Sequence, residues 1–158
     1  MTISNARPIG RAFFLVRARA YTRAMVREIH VRAPRQGLHE CTAQVHAVVA
    51  DSGLDEGLCT IFIRHTSASL IIQENADPSA RQDLERWLNR LVPEGDPLYT
   101  HTDEGPDDMP SHIKAALTQT SLSIPILRGR LALGTWQGIY LWEHRARPSD
   151  RHLVIHIA

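Results

Sequence analysis

The strongest constraint on the fold lies in the last third of the chain, where apolar runs are joined by turns and no helical period intervenes. "SLSIPIL", "RLAL", "IYLWEH" and "HLVIHI" read as strands, separated by the turn "RG", the turn "GTWQG" and the polar bend "RARPSD". Pro125 places the first of these at a sheet edge or a bulge, because it cannot donate to a ladder. Near the start, "RAFFLVRARAYT" and "MVREIHVRA" combine apolar and β-branched residues with arginines suited to a wet face, and read as a further antiparallel pair. "GLCTIFIRH" sets Cys59, Ile61 and Ile63 against Leu58, Thr60, Phe62 and Arg64, the pattern of a largely buried strand. Ala68 to Ile72 reads as another.

Three helices interrupt the strands. Thr42 is a candidate N-cap for a short helix with Val45, Val48 and Val49 on one stripe and Gly53 after its last turn. Asp77 at an N-cap and Pro78 at the first helical position open the second. Its Ala80, Leu84, Trp87, Leu88 and Leu91 form the apolar side, Arg81, Asp83, Glu85, Arg86 and Arg90 the polar side, and Pro93 ends it. Pro110 opens the third, with an apolar stripe of Ile113, Ala116 and Leu117. Between them "PEGDPLYTHTDEGPDDMP" is too polar and too broken for core structure, and a loop of that length in a compact domain is often functional. The expectation is one α+β domain over residues 1–158, built on a mainly antiparallel sheet with about three short helices. No G-x-G-x-x-G, P-loop, H-E-x-x-H or G-x-S-x-G motif is present.

Lysine plus arginine number 18 against 17 acids, a formal charge of +1, so no nucleic-acid or anionic-membrane partner is expected. No apolar run approaches the roughly 20 residues that span a bilayer, nor does the N-terminus read as a secretory signal. The expected location is the cytoplasm. Cys41 and Cys59 have no metal-site spacing and are expected as reduced core thiols.

Among nine histidines, three fall beside turns, loops and acids: His65 at a strand end, His101 in the acidic loop and His112 in the first turn of the third helix. His101 and His112, with Asp103, Glu104, Asp107 and Asp108 nearby, have the ligand types of a zinc or similar divalent site; solvated or capping histidines are the alternative. From His65 to Glu74 a straight strand would run roughly 30 Å. Those residues therefore cannot share one ion along a straight strand: either it bends sharply, or its ends serve different places, one completed by a neighbouring subunit. In "GTWQG", Trp136 could stack on a ring substrate and Gln137 could hydrogen-bond it, or the indole could be buried under a hairpin. Glu143 and His144 point to opposite faces of their strand. Ser67 or Ser69 as a hydrolase nucleophile has no nucleophile elbow behind it.

Taken together, "HTSASLIIQENADPSARQDLERWL", "YTHTDEGPDDMPSHIKAAL" and "SIPILRGRLALGTWQGIYLWEH" resemble the YjbQ family, also described as the secondary thiamine-phosphate synthase family. The family's motif residues fall on His65, Thr66, Ala68, Glu74, Asn75, Asp77, His101, His112, Gly134, Thr135, Trp136, Gln137 and Glu143. The resemblance implies a trimeric α+β fold with polar, often metal-bearing clefts between subunits. It also implies a secondary activity that joins a pyrimidine methyl diphosphate to a thiazole phosphate. On that basis His65, His101 and His112 are expected to face a divalent metal (zinc, magnesium or manganese), and Glu74 and Asn75 to be catalytic. Thr66, Ser67, Trp136, Gln137 and Glu143 are expected to line the substrate, a small phosphorylated metabolite. A metal-dependent phosphatase or hydrolase, and a non-catalytic trimeric binding protein, are the alternatives. Many relatives carry a D-G-P-R-like turn where residues 144–150 here read "HRARPSD".

Overall fold

A computed structural model describes residues 24–158; the strand expected from "RAFFLVRARAYT" lies outside the described residues. Within them eight strands and three helices follow one another: β1 (Met25–Ala33), β2 (Gly37–Glu40), α1 (Thr42–Ser52), β3 (Glu56–Ile63), β4 (Ala68–Glu74), α2 (Pro78–Leu91), α3 (Asp108–Leu117), β5 (Ser121–Leu127), β6 (Arg130–Leu131), β7 (Gln137–Glu143) and β8 (Ser149–Ile157). They form a five-stranded sheet, order β1-β8-β3-β5-β6, and a three-stranded sheet, order β2-β7-β4. Every pairing among these strands is antiparallel.

Alternation decides which face of the larger sheet is dry. Cys59, Ile61 and Ile63 of β3 and Leu122, Ile124 and Ile126 of β5 point inward with Leu153, Ile155 and Ile157 of β8. They meet Val45, Val48 and Val49 of α1 and Ala68, Leu70, Ile139 and Leu141 from the smaller sheet. Each fully buried aliphatic here contributes about 1.5–3 kcal/mol through lost hydration. The other face of β3 is not buried: Leu58 and Phe62 are 44% and 47% exposed. β3 is thus a one-sided strand. β7 is buried on both faces, because Tyr140 and Trp142 pack with Leu38 of β2 and Leu88 of α2 in a second cluster.

Local chemistry explains the helix ends. Asp77 accepts a hydrogen bond from the Ser79 N–H at 2.8 Å, with Pro78 at the first helical position. Gly53 ends α1 in the left-handed region at φ 66°. The α1 N-cap is Cys41, not Thr42, whose hydroxyl accepts from the Ile139 N–H and donates to Glu40. The turn "RG" is a tight hairpin with φ 54° at Arg128 and 71° at Gly129.

Two helices differ from the expected faces. In α2, Leu84 and Leu88 pack inward while Trp87 and Leu91 are half exposed. Glu85, expected on the wet side, accepts from the Leu38 N–H at 2.7 Å and from Arg35. α3 begins two residues before Pro110, which its first turn accommodates because the N–H there has no helical partner. Its buried face is Asp108, Pro110, Ser111, Lys114 and Ala115, whereas Ala116 and Leu117 are exposed. The helix turns a polar face inward, which a hydrophobic stripe cannot reveal.

Cys41 and Cys59 are free and buried, and burial pushes their thiols up to about 12 and about 11. A thiol-specific reagent at pH 8 should leave both unlabelled in the native protein, reacting at least about 100-fold more slowly than with a free thiol, and should label both in urea. Fast native labelling of either would contradict this packing.

Candidate metal centre and flanking clefts

The acidic loop folds back on itself through successive tight turns: Tyr99 N–H to Asp96 C=O, Gly105 N–H to Thr102 C=O and Asp108 N–H to Gly105 C=O. They deliver His101 to the start of α3. Asp108 and His112 stand four residues apart on α3, hence on one face. His101 Nε2 lies 2.7 Å and His112 Nε2 3.4 Å from Asp108 Oδ2. Asp108 is 2% exposed, and that oxygen accepts no well-directed hydrogen bond from the described residues. His112 Nδ1 faces the Thr66 carbonyl at 3.1 Å. Since a carbonyl only accepts, Nδ1 carries the proton, and a neutral His112 directs the Nε2 lone pair at the Asp108 carboxylate. Two lone pairs facing each other across 3.4 Å are satisfied by a cation between them, either a metal ion or a proton on Nε2.

The geometry fits such an ion. Ligand atoms about 2.0–2.1 Å from a tetrahedral zinc lie roughly 3.3 Å apart, and the two distances to Asp108 Oδ2 bracket that value. All three ligand atoms lie within 4.8 Å of one another. An imidazole whose other nitrogen donates to a backbone carbonyl has the orientation usual for metal-ligating histidines. Three protein ligands with open positions is the pattern of a catalytic site, not of a closed structural one.

The turn at 144–150 supports this centre from behind. Arg145 Nε reaches Asp107 Oδ2 at 3.1 Å, Nη1 pairs with Asp108 Oδ1, and Nη2 donates to the Glu104 carbonyl at 2.8 Å. The Ala146 N–H adds a bond to Asp107. Burial would raise the Asp107 carboxyl, but the Ala146 N–H and the Arg145 guanidinium outweigh it and hold it below the usual range. Arg145 therefore fixes one oxygen of Asp108 and leaves the other facing the two imidazoles.

His65 stands elsewhere. Its Nε2 accepts from the His152 N–H at 2.9 Å, and Arg151 approaches Nδ1 at 3.3 Å. Burial and then the Arg151 charge lower its basicity. His65 is not in the His101–Asp108–His112 group. Glu143, expected to face substrate, is fully buried: Arg151 grips both its oxygens at 2.5 Å, Ser149 donates to one and the Arg145 N–H to the other. Burial raises its carboxyl, and these donors, led by Arg151, bring it below the usual range. Its neighbour His144 faces the other way and is also buried, with Nε2 2.9 Å from Ser69 Oγ. Ser69 is itself fully buried, which removes it as a nucleophile.

β4 pairs with β7 in continuous register from Ala68–Glu143 to Glu74–Gln137, so no sharp bend brings its ends together. Thr66 and Ser67 line a cleft of about 480 Å³ with His65, Phe62, Ile63, Arg64 and Thr120. At the far end, Glu74, Trp136 and Gln137 line one of about 380 Å³ with Ile72, Gln73 and Ala76. Trp136 is 65% exposed there and not buried beneath a hairpin. Gln137 staples its own turn, its side chain accepting from the Gly134 N–H at 2.8 Å. Asn75 is exposed beside this cleft and donates its N–H to the Trp136 carbonyl. Asp108, which the sequence places only among the nearby acids, is the carboxylate of the group. The signal that singles it out is its four-residue spacing from His112, visible once the helix is taken to begin ahead of Pro110.

Fold and site together define a class: a two-sheet antiparallel α+β protein with a His-Asp-His candidate centre at the mouth of a helix. The chain belongs to the YjbQ family, whose model, described as UPF0047 protein YjbQ-like, matches residues 27–158. A UPF0047 protein of Synechocystis sp. is 56% identical over 123 residues, covering 78% of this chain and 84% of the relative. UPF0047 protein YjbQ of Escherichia coli O157:H7 is 44% identical, covering 77% and 88%. Among solved structures, a conserved hypothetical protein of Thermus thermophilus superposes with a TM-score of 0.75 at 34% identity, covering 83% of this chain and 98% of that one. A YbjQ-like protein of unknown function from Sulfolobus solfataricus does so at 0.77 and 27%, covering 85% and 96%.

His144 yields a pH prediction. Burial, reinforced by the Lys114 charge, lowers its pKa from 6.5 to about 3. The unfolded chain takes up a proton that the folded one refuses, so this contribution is full above pH 6.5 and is lost as pH falls toward 3. The slope is about 1.4 kcal/mol per pH unit. Urea titrations of His144→Gln between about pH 5 and 6 should show a slope smaller by about that amount, whatever the variant's absolute stability; an unchanged slope would count against a buried neutral His144.

Proposed function

We propose that this protein is a divalent-metal enzyme of small phosphorylated metabolites, with its ion held by His101, Asp108 and His112. The observation that supports this reading most is the convergence of two imidazole nitrogens on a buried carboxylate oxygen that has no well-directed hydrogen bond among the described residues. A bound ion would supply Lewis-acid charge for phosphate oxygens or for an attacking water. Thr66 fixes the tautomer of His112 through its carbonyl, and Arg145 orients Asp108. No helix among the described residues is long and apolar enough to cross a membrane, and the cytoplasm is the proposed location.

The reaction proposed first is the condensation of a pyrimidine methyl diphosphate with a thiazole phosphate, losing diphosphate to give thiamine phosphate. The exposed Trp136 beside Glu74, Asn75 and Gln137 offers a surface on which a pyrimidine ring could stack. Because β4 holds that cleft away from the metal end, a small substrate meets both only if two chains contribute. The family resemblance implies a homotrimer, and that assembly is part of the proposal. A second reading, hydrolysis of a small phosphate ester, gains support from Arg145: its guanidinium is engaged by Asp107, Asp108 and Glu104 and offers no free charge to a leaving diphosphate.

The test uses untagged full-length protein, both phosphorylated precursors, and magnesium, manganese or zinc, alongside a phosphate-release screen. Condensation or hydrolysis should require metal and fall at least about 10–100-fold in Asp108→Asn and His112→Ala. Activity that survives both substitutions would remove the proposed centre; stoichiometric metal binding without turnover in either assay would favour a binding protein. Light scattering should give three chain masses.

A further inference from the structure

Away from that centre, the solvent face of the five-stranded sheet carries a second set of metal-ligating side chains. His30 of β1 lies directly opposite His152 of β8 in the ladder, and Glu28 precedes His30 by two residues, which puts it on the same face. The two imidazole rings stand 4.2 Å apart. Glu28 Oε1 lies 3.1 Å from His152 Nδ1 and 3.7 Å from His30 Nε2. These lengths again bracket the roughly 3.3 Å expected between ligands of a tetrahedral zinc.

His152 Nδ1 and Glu28 Oε1 hydrogen-bond each other at 3.1 Å, and an ion entering between them would displace the shared proton. Arg64 engages the other oxygen of Glu28, Oε2, at 2.7 Å, which orients the carboxylate and directs Oε1 toward the histidines. His65 is not a ligand. Its Nε2 accepts from the His152 N–H, holding the β8 backbone where His152 meets His30. Because all three ligands rise from paired strands and not from loops, the geometry is set by the sheet. At 61%, 38% and 39% side-chain exposure for His30, His152 and Glu28, the site is open, with positions left for water.

We infer that Glu28, His30 and His152 form a second divalent-metal site, selective for zinc-like ions that favour imidazole over all-oxygen coordination. Two imidazoles and one carboxylate suit zinc, copper or nickel and disfavour magnesium or calcium. The site shares no residue with His101, Asp108 and His112. Residues 1–23 contain no histidine, cysteine, aspartate or glutamate, so that segment adds no competing side-chain ligand.

Calorimetric titration of untagged full-length protein with zinc chloride tests this. Wild type should bind two equivalents per chain, Asp108→Asn one, His30→Ala one, and the double variant none. Copper(II) added to Asp108→Asn should give an electron paramagnetic resonance signal split by two nitrogens, reduced to one nitrogen by His30→Ala. Glu28→Gln supplies an independent variant should His30→Ala fail to fold. The inference is overturned if His30→Ala, or Glu28→Gln in its place, binds as many equivalents as wild type, or if wild type binds one and loses it in Asp108→Asn. A single equivalent lost in His30→Ala but kept in Asp108→Asn would uphold this site and remove the other centre.

Discussion

The carboxylate of Glu143 is the interaction on which the rest of the molecule depends. It sits at the end of β7, a strand buried on both faces, where an unpaired charge would cost several kcal/mol. Arg151, Ser149 and the Arg145 N–H converge on it. That convergence dictates the path of the chain from β7 into β8. It places Arg145 against Asp107 and Asp108, and with them the start of α3 and one oxygen of the candidate centre. Removing one partner would expose the others to the same desolvation, so the cluster behaves as a unit.

A division of labour along β4 follows from the same sheet. Thr66, two residues before the strand, offers its carbonyl to His112 beside His65; the far end carries Glu74 into a cleft with an exposed indole. The strand's ladder with β7 keeps these ends apart. In one chain they are separate places, and the polar residues clustered in the sequence around "HTSASLIIQEN" divide between them.

Much of this arrangement is legible in the amino-acid sequence. Asp77 and Pro78 open α2 because capping is local chemistry, and Val45, Val48 and Val49 face the core because burial alone sets a periodic stripe. His101 and His112 stand out by residue type and setting. What escapes are features set by distant partners. Asp107 and Asp108 read as loop acids because the arginine that neutralises them lies 37 residues beyond Asp108. Lys114 lies outside the expected stripe of Ile113, Ala116 and Leu117, yet it is buried and donates to Asn89 at 2.7 Å. Glu143 reads as a substrate contact because a motif residue on a strand does not disclose that an arginine eight positions later will meet it. β2, at four residues, is too short for alternation to register.

The position of β8 bears on how the molecule assembles. It lies between β1 and β3 and, among the described residues, is the only strand to which β1 pairs, although these are the first and last of the eight. Until β8 has left the ribosome, β1 has no ladder to join among them, the inner face of β3 is missing Leu153, Ile155 and Ile157, and Glu143 lacks its arginine. The larger sheet therefore closes late, when β8 joins β1 to the β3-β5-β6 part. Such a topology, rich in long-range pairings, belongs to the slower-folding class, and the nascent chain must be kept from pairing the open edge of β3 with other partners in the meantime.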